Sequence, residues 1–272
     1  MVFDSVHLLL ECLMSTLSTP PCLDLQITGH VARITFNNPA ARNAMTWPMY
    51  EELKRICDSL ATNSDIRVVI FRGAGDKAFV SGSDIQQFVD LKEDEAYEIA
   101  VDNIFISLQE LPMPTIAIIE GLAVGSGLLM ATSCDFRIST PEARFGIPVA
   151  KTLGNCLSPS NLAWISAHLG IPTVKKMLLT AELIKAPQLL DSGFLYQLAE
   201  AADITAAGDA LAEKLAALAP ITQKASKLAL TRLINHNLPN CTDLMRETYN
   251  SIDFREGVNA FLEGRPPKWQ GK

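Results

Sequence analysis

The stretch Thr115–Cys134, TIAIIEGLAVGSGLLMATSC, decides the fold. Its length and low polarity would suit a membrane span. Glu120 and the Gly125-Ser126-Gly127 break argue against that. A buried strand over Thr115–Ile119, a turn, and a buried helix opened by glycines over Gly125–Ser133 account for it better. Cys134–Ser139 then reads as a further short strand.

The same alternation extends upstream. Leu23–Thr28 and Val31–Asn37 flank Gly29-His30 and predict a hairpin, closed by the turn Asn37-Asn38-Pro39. Thr46 is placed to N-cap a helix running to Leu60, with Pro48 in its first turn. Ile66–Arg72 reads as a buried strand and Phe79–Asp84 as a loop of small residues. A helical region over Phe88–Leu111 stops before Pro112 and Pro114. Downstream the pattern changes. Ser158-Pro159 predicts an N-cap followed by a first-turn proline, and from there the chain reads as almost wholly helical, with Leu211, Leu215 and Leu218 as one apolar stripe. The expected class is therefore α/β over 22–157 and helical beyond.

Composition narrows the function. Of 272 residues, 48% are hydrophobic and 19% charged, which supplies a large core and excludes global disorder. Lys and Arg number 23 against 30 Asp and Glu, a net charge of -7, which argues against a sequence-independent nucleic-acid binder. The six cysteines are scattered with no C-x-x-C pair, as expected of reduced thiols in a cytoplasmic compartment, with no metal site. Val6–Met14 is apolar but short, lacks a basic flank and holds Glu11, so it is not expected to be a secretory signal. Residues 1–21 are expected to be a poorly ordered extension.

The familiar catalytic motifs of hydrolases, zinc proteases and nucleotide-binding loops are absent. Two small-residue loops remain, Ala78–Ile85 (AFVSGSDI) and Glu120–Leu129 (EGLAVGSGLL), each between a buried strand and a helical stretch. Such loops expose backbone N–H groups, and two of these converging on one oxygen form an oxyanion hole. Ordinary turn glycines are the competing reading.

The motifs taken together resemble the crotonase (enoyl-CoA hydratase/isomerase) superfamily. Arg42-Asn43-Ala44-Met45, AFVSGSDI, Glu120–Thr140, Arg144–Pro148 and Arg255–Glu263 (REGVNAFLE) follow the family's order over about residues 22–269. The resemblance implies a spiral of ββα units (the ClpP-like fold) over 22–200 and a helical trimerisation region over 201–272. It implies an acyl-CoA thioester substrate, with coenzyme A entering as part of the substrate and no tightly bound cofactor. No nucleic-acid or membrane partner is expected, and a homotrimer or dimer of trimers is. The implied oxyanion donors are the backbone N–H groups of Ser83 and Ser126. Arg42, Asn43, Ala44, Ser81, Asp84 and Ile85 are implied along the CoA channel. Phe261 matches a residue that in relatives helps cover CoA from a neighbouring subunit, and Arg265 or Lys268 would stand in for a lysine that is Gly264 here.

The pattern departs from the family where hydration needs its acids. The positions of the two usual glutamates hold Leu129 and Val149. Asn155 and Cys156 are the candidate replacements, with Thr152, Ser158 and the Ser126 hydroxyl behind them; loop packing or helix capping is the alternative for these. Asp84 is the nearest acid, and a capping role competes for it. Three functions stay open: a hydratase or isomerase with a non-standard acid/base site; hydrolysis, decarboxylation or double-bond migration on the same enolate; and a catalytically silent CoA- or RNA-binding scaffold.

Overall fold

The computed structural model describes residues 21–88 and 94–272. The expected extension over 1–21 lies, but for its last residue, outside them. The predicted hairpin forms from β1 (Cys22–Thr28) and β2 (Val31–Asn37), paired antiparallel from Cys22↔Asn37 to Thr28↔Val31. Four turns of a spiral then follow. β2 leads through an isolated parallel bridge, Met45↔Ser83, into α1 (Trp47–Ala61). β3 (Val68–Gly73) leads through β4 (Ala78–Val80) to α2 (Asp94–Gln109). β5 (Thr115–Ile119) leads through β6 (Leu122–Val124) to α3 (Ser126–Ser133). β7 (Phe136–Ser139) leads through β8 (Arg144–Gly146) to α4 (Pro159–Leu169). The order is the expected spiral of ββα units.

The strands sort into two sheets. The larger runs β1-β2-β3-β5-β7-β10, parallel from β2 onward, with β10 at Gln197–Leu198. The smaller runs β4-β6-β8-β9, with β9 at Ile184–Lys185. Both faces of the larger sheet are buried. Val69, Phe71, Ala117 and Ile119 point into the main core. Val68, Ile70, Ile116 and Ile118 point the other way, onto Ile204, Leu211 and Leu215 of α7 (Ile204–Ala216). That double burial is why these strands read as continuous apolar runs.

Several expectations change. Phe79–Asp84 is not all loop, because Val80 pairs with Ala123 in the smaller sheet. The region after Ser158 is not wholly helical, because β9 and β10 add to the sheets. Beside them stand α5 (Ile171–Leu179) and α6 (Ala186–Leu190). Thr46 holds the N-cap position of α1, but its side chain makes no capping hydrogen bond. Ser158 does cap α4, its Oγ accepting from the Asn161 amide at 3.2 Å. Leu218 lies beyond the end of α7 and is exposed. α7, assigned by position to the helical region, belongs by its packing to the sheet.

The remaining helices are α8 (Pro220–Ile234), α9 (Thr242–Tyr249) and α10 (Ile252–Leu262). Lys227 ties α8 to the body, its Nζ 2.7 Å from Asp135 Oδ2 and 3.1 Å from the Met113 carbonyl. α10 folds back across the short 3-10 segment Ile85–Phe88, where the Phe254 and Phe88 rings meet edge to face. Thr115–Cys134 is strand, turn and helix, and no described helix is long and apolar enough to cross a membrane.

Candidate active site

A cavity of about 600 Å³ opens where the smaller sheet meets the starts of α1 and α3. Its walls include Arg42, Ala44, Ser81, Ser83, Asp84 and Ile85 from the first two turns. Ser126, Leu129, Val149, Asn155 and Phe261 come from later ones. The structure thus brings together eleven of the thirteen residues assigned to the CoA channel, the oxyanion hole, the usual acid positions and their first replacements.

Asn43 and Cys156 are the two it keeps out of the wall. Asn43 is fully buried behind the first loop. Its Nδ2 donates to the Ala78 and Ala74 carbonyls at 2.8 and 3.0 Å, and its Oδ1 accepts from the Asn38 amide at 3.0 Å. Its side chain sets the shape of the loop. Cys156 packs against the main core instead.

The two small-residue loops touch. Gly82 and Gly125 both adopt positive φ, +123° and +58°. A Cβ on Gly125 would lie only 3.6 Å from the Gly82 Cα. At the bridge, the Met45 amide donates to the Gly82 carbonyl at 2.9 Å and the Asp84 amide donates to the Met45 carbonyl at 2.8 Å. In a parallel bridge of this kind the intervening residue turns its own N–H away from its partner. The Ser83 N–H therefore faces away from Met45. Ser126 is the first residue of α3, where helical geometry provides no intrahelical acceptor for the N–H. Neither amide meets an acceptor among the described residues.

The side chains are held as firmly as the loops. Ser83 Oγ lies 2.8 Å from the buried Tyr50 hydroxyl, a partner the sequence reading did not single out. Ser81 Oγ donates to the Ala41 carbonyl at 3.3 Å, and the Ser81 amide to the Arg42 carbonyl at 3.2 Å. Arg42 is itself in the left-handed region at φ 54°. The Ser126 hydroxyl is buried, 8% exposed, and finds no hydrogen-bond partner. Asn155 Oδ1 is likewise unpartnered, while its Nδ2 stands 3.5 Å from the Tyr249 hydroxyl.

Ionisable groups are scarce. Among the described wall residues only Arg42 and Asp84 carry charge. Asp84 Oδ1 accepts from the Gln86 amide at 3.0 Å, which makes it the stabiliser of the turn into Ile85–Phe88. Leu129 is buried and Val149 half-buried in the wall, so both positions present hydrocarbon. A second carboxyl, Asp102, sits just behind the wall on α2 and was missed in the sequence, because nothing local marks it. Burial pushes it up to about 6, against hydrogen bonds from Ser158 and Asn161 that pull it down.

Phe261 reaches the cavity from α10 of its own chain and is 53% exposed. Arg265 makes a two-pronged ion pair with Glu256, at 2.6 and 3.0 Å, so its charge is matched within the same helical end. Among the described residues no group of three or more His, Cys, Asp or Glu could hold a metal ion.

The chain is thus a ββα spiral in which Ser83 and Ser126, from two small-residue loops, line one largely apolar cavity. A family model described as enoyl-CoA hydratase/isomerase matches residues 26–272, and the chain belongs to that family, within the crotonase superfamily of acyl-CoA enzymes. The short-chain-enoyl-CoA hydratase of Clostridium acetobutylicum is 30% identical over 249 residues, covering 89% of this chain and 94% of its own. The (E)-benzylidenesuccinyl-CoA hydratase of Thauera aromatica is 32% identical over 259 residues, covering 91% and 98%. Among solved structures, methylmalonyl-CoA decarboxylase in complex with 2-nitronate-propionyl-CoA matches with a TM-score of 0.85 at 26% identity, covering 92% and 98%.

Proposed function

We propose that the chain binds an acyl-CoA thioester with its carbonyl oxygen between the Ser83 and Ser126 amides and stabilises the enolate formed there. The observation that supports this reading is the close approach of Gly82 and Gly125, whose next residues, Ser83 and Ser126, both line the cavity and have amides that meet no acceptor among the described residues. Each such donor is worth about 3 kcal/mol in the transition state. Arg42, Ala44, Ser81, Ile85 and Phe261 line the path of the CoA moiety, and Asn43 supports it from behind. Leu129 and Val149 face the reacting carbons. Asn155 and the Ser126 hydroxyl are the polar groups left to orient a water. In hydration, the water oxygen would bond to the β-carbon, the π electrons would move to the thioester oxygen, and the α-carbon would then take a proton.

A second reading, decarboxylation, is favoured by the apolar wall and by the likeness to methylmalonyl-CoA decarboxylase. There the carbon–carbon bond breaks, carbon dioxide leaves, and the electron pair enters the same enolate. No side-chain base is needed for that bond to break. The chain is further proposed to assemble as a trimer or a dimer of trimers. Ile221 and Leu233 of α8 are 82% and 73% exposed, a face suited to a second copy.

The test of function is a panel of 2-enoyl-, malonyl-type and saturated acyl-CoA thioesters with mass detection. Turnover of the enoyl members supports hydration, loss of carbon dioxide the second reading. Binding of CoA alone, with nothing gained from a thioester, overturns the oxyanion assignment.

A further inference from the structure

Ser83 is tied twice to one stretch of chain, Met45–Tyr50. The first tie is backbone, the isolated parallel bridge Met45↔Ser83. In it the Met45 amide donates to the Gly82 carbonyl at 2.9 Å and the Asp84 amide donates to the Met45 carbonyl at 2.8 Å. Those two bonds hold the residues on either side of Ser83 and leave Ser83 itself between them. The second tie is through side chains: Ser83 Oγ lies 2.8 Å from the Tyr50 hydroxyl. Tyr50 is fully buried among the core residues Met49 and Leu53. It closes the first turn of α1, its amide donating to the Thr46 carbonyl at 3.1 Å. Core packing and helix therefore fix the phenol before Ser83 meets it. Either hydroxyl can donate, and the tie is the same.

An oxyanion donor is effective because its N–H is fixed before the ligand arrives, and a small misplacement forfeits part of the bond. We infer that Tyr50 is a positioning residue. By holding Ser83 Oγ, it fixes the orientation of the Ser83 N–H and so sets how strongly that amide polarises the thioester carbonyl. The inference rests on the acyl-CoA reading above and names the residue that aims one of its two donors. Ser126 has no such tie, for its hydroxyl finds no partner, and its amide is placed instead by the start of α3. Tyr50 lies behind the cavity wall and acts through Ser83. A phenylalanine would fill the same core space, so the hydroxyl alone carries the positioning.

The probes are hexanoyl-CoA and S-hexyl-CoA, the thioether that keeps the chain and lacks the carbonyl oxygen. The ratio of their dissociation constants, measured by calorimetry on the full chain, isolates what the carbonyl contributes. The wild type should favour hexanoyl-CoA. Tyr50→Phe should cut that ratio about fivefold, the loss of one ordinary hydrogen bond, while S-hexyl-CoA binds as before. Ser83→Ala removes the other end of the tie and should give the same cut, and the double variant no more than either. A Tyr50 that only filled the core would weaken both probes alike or neither; an unchanged ratio in Tyr50→Phe therefore overturns the inference and leaves the acyl-CoA reading standing. Cuts that add in the double variant overturn it also. Should Tyr50→Phe fail to fold, Ser83→Ala decides alone, and a ratio it leaves untouched overturns the inference. Equal binding of the two probes by the wild type, or binding of neither, overturns the oxyanion reading and this inference with it.

Discussion

Gly82 and Gly125, forty-three positions apart, pass so closely that a methyl group on one would rest 3.6 Å from the Cα of the other. Both adopt positive φ, and Gly125 combines φ 58° with ψ -124°, a conformation that strains any side-chain-bearing residue. Gly125→Ala should therefore cost about 1–3 kcal/mol of stability. It should also cost more in turnover than in stability, because the Ser126 amide would shift relative to that of Ser83. Unfolding midpoints and kcat/KM measured on the same preparation separate the two. Turnover that falls no more than folding does would contradict the reading.

On the proposed assignment of Leu129 and Val149 to the two acid positions, hydration of crotonyl-CoA should be weak or absent. Each missing general acid or base is worth about 10²–10⁴ in rate, although coupled groups do not simply multiply. The pair Leu129→Glu with Val149→Glu should raise the rate, and either change alone should do less. Burial of Leu129 will raise the pKa of a carboxyl placed there, so folding and a pH profile accompany the measurement. A fast wild-type hydration, untouched by replacing Asn155, Cys156 and Asp84 in turn, would show that the acid/base groups lie elsewhere.

Asp102 gives a pH signature of its own. Its folded value of about 6 stands above the ordinary aspartate value of 3.8. Between these the folded chain binds more protons than the unfolded chain, so this group makes stability fall as pH rises from about 4 to about 6. Above that window the penalty is complete, about 1–2 kcal/mol once partial exposure is allowed for. Against Asp102→Asn, the wild type should lose relative stability across the window and then run parallel to it. Urea midpoints across that range test this, and a difference independent of pH would contradict it.

The exposed face of α8 predicts assembly. Ile221→Asp with Leu233→Asp should yield a smaller species by light scattering, with little loss of monomer folding, because neither side chain is buried within the chain. A wild-type monomer at micromolar concentration would refute the proposed trimer.

How much of this was legible follows from what each residue touches. The strands of the larger sheet were readable because Val68–Phe71 and Thr115–Ile119 are buried on both faces and carry unbroken apolar runs. The strands of the smaller sheet are two or three residues long, too short for any period, and their pairing depends on distant turns of the spiral. Arg42, Ala44, Ser81, Ser83, Asp84 and Ile85 were found by motif and reach the cavity. Asn43 was expected along the channel mainly through backbone contacts, and its side-chain amide is spent on Ala74 and Ala78. Tyr50, Asp102 and Asn161 left no local signal. Tyr50 reads as one more apolar position on α1, and Asp102 meets Asn161 only through contact between helices fifty-nine positions apart.

The most direct test of the central claim is infrared difference spectroscopy on a saturated acyl-CoA labelled with heavy carbon at the thioester carbonyl. Two converging amides polarise that bond, so the carbonyl stretch should move to lower wavenumber on binding and return toward the free value in Gly125→Ala. A thioester that binds tightly while its carbonyl band stays where it is in water would contradict the account.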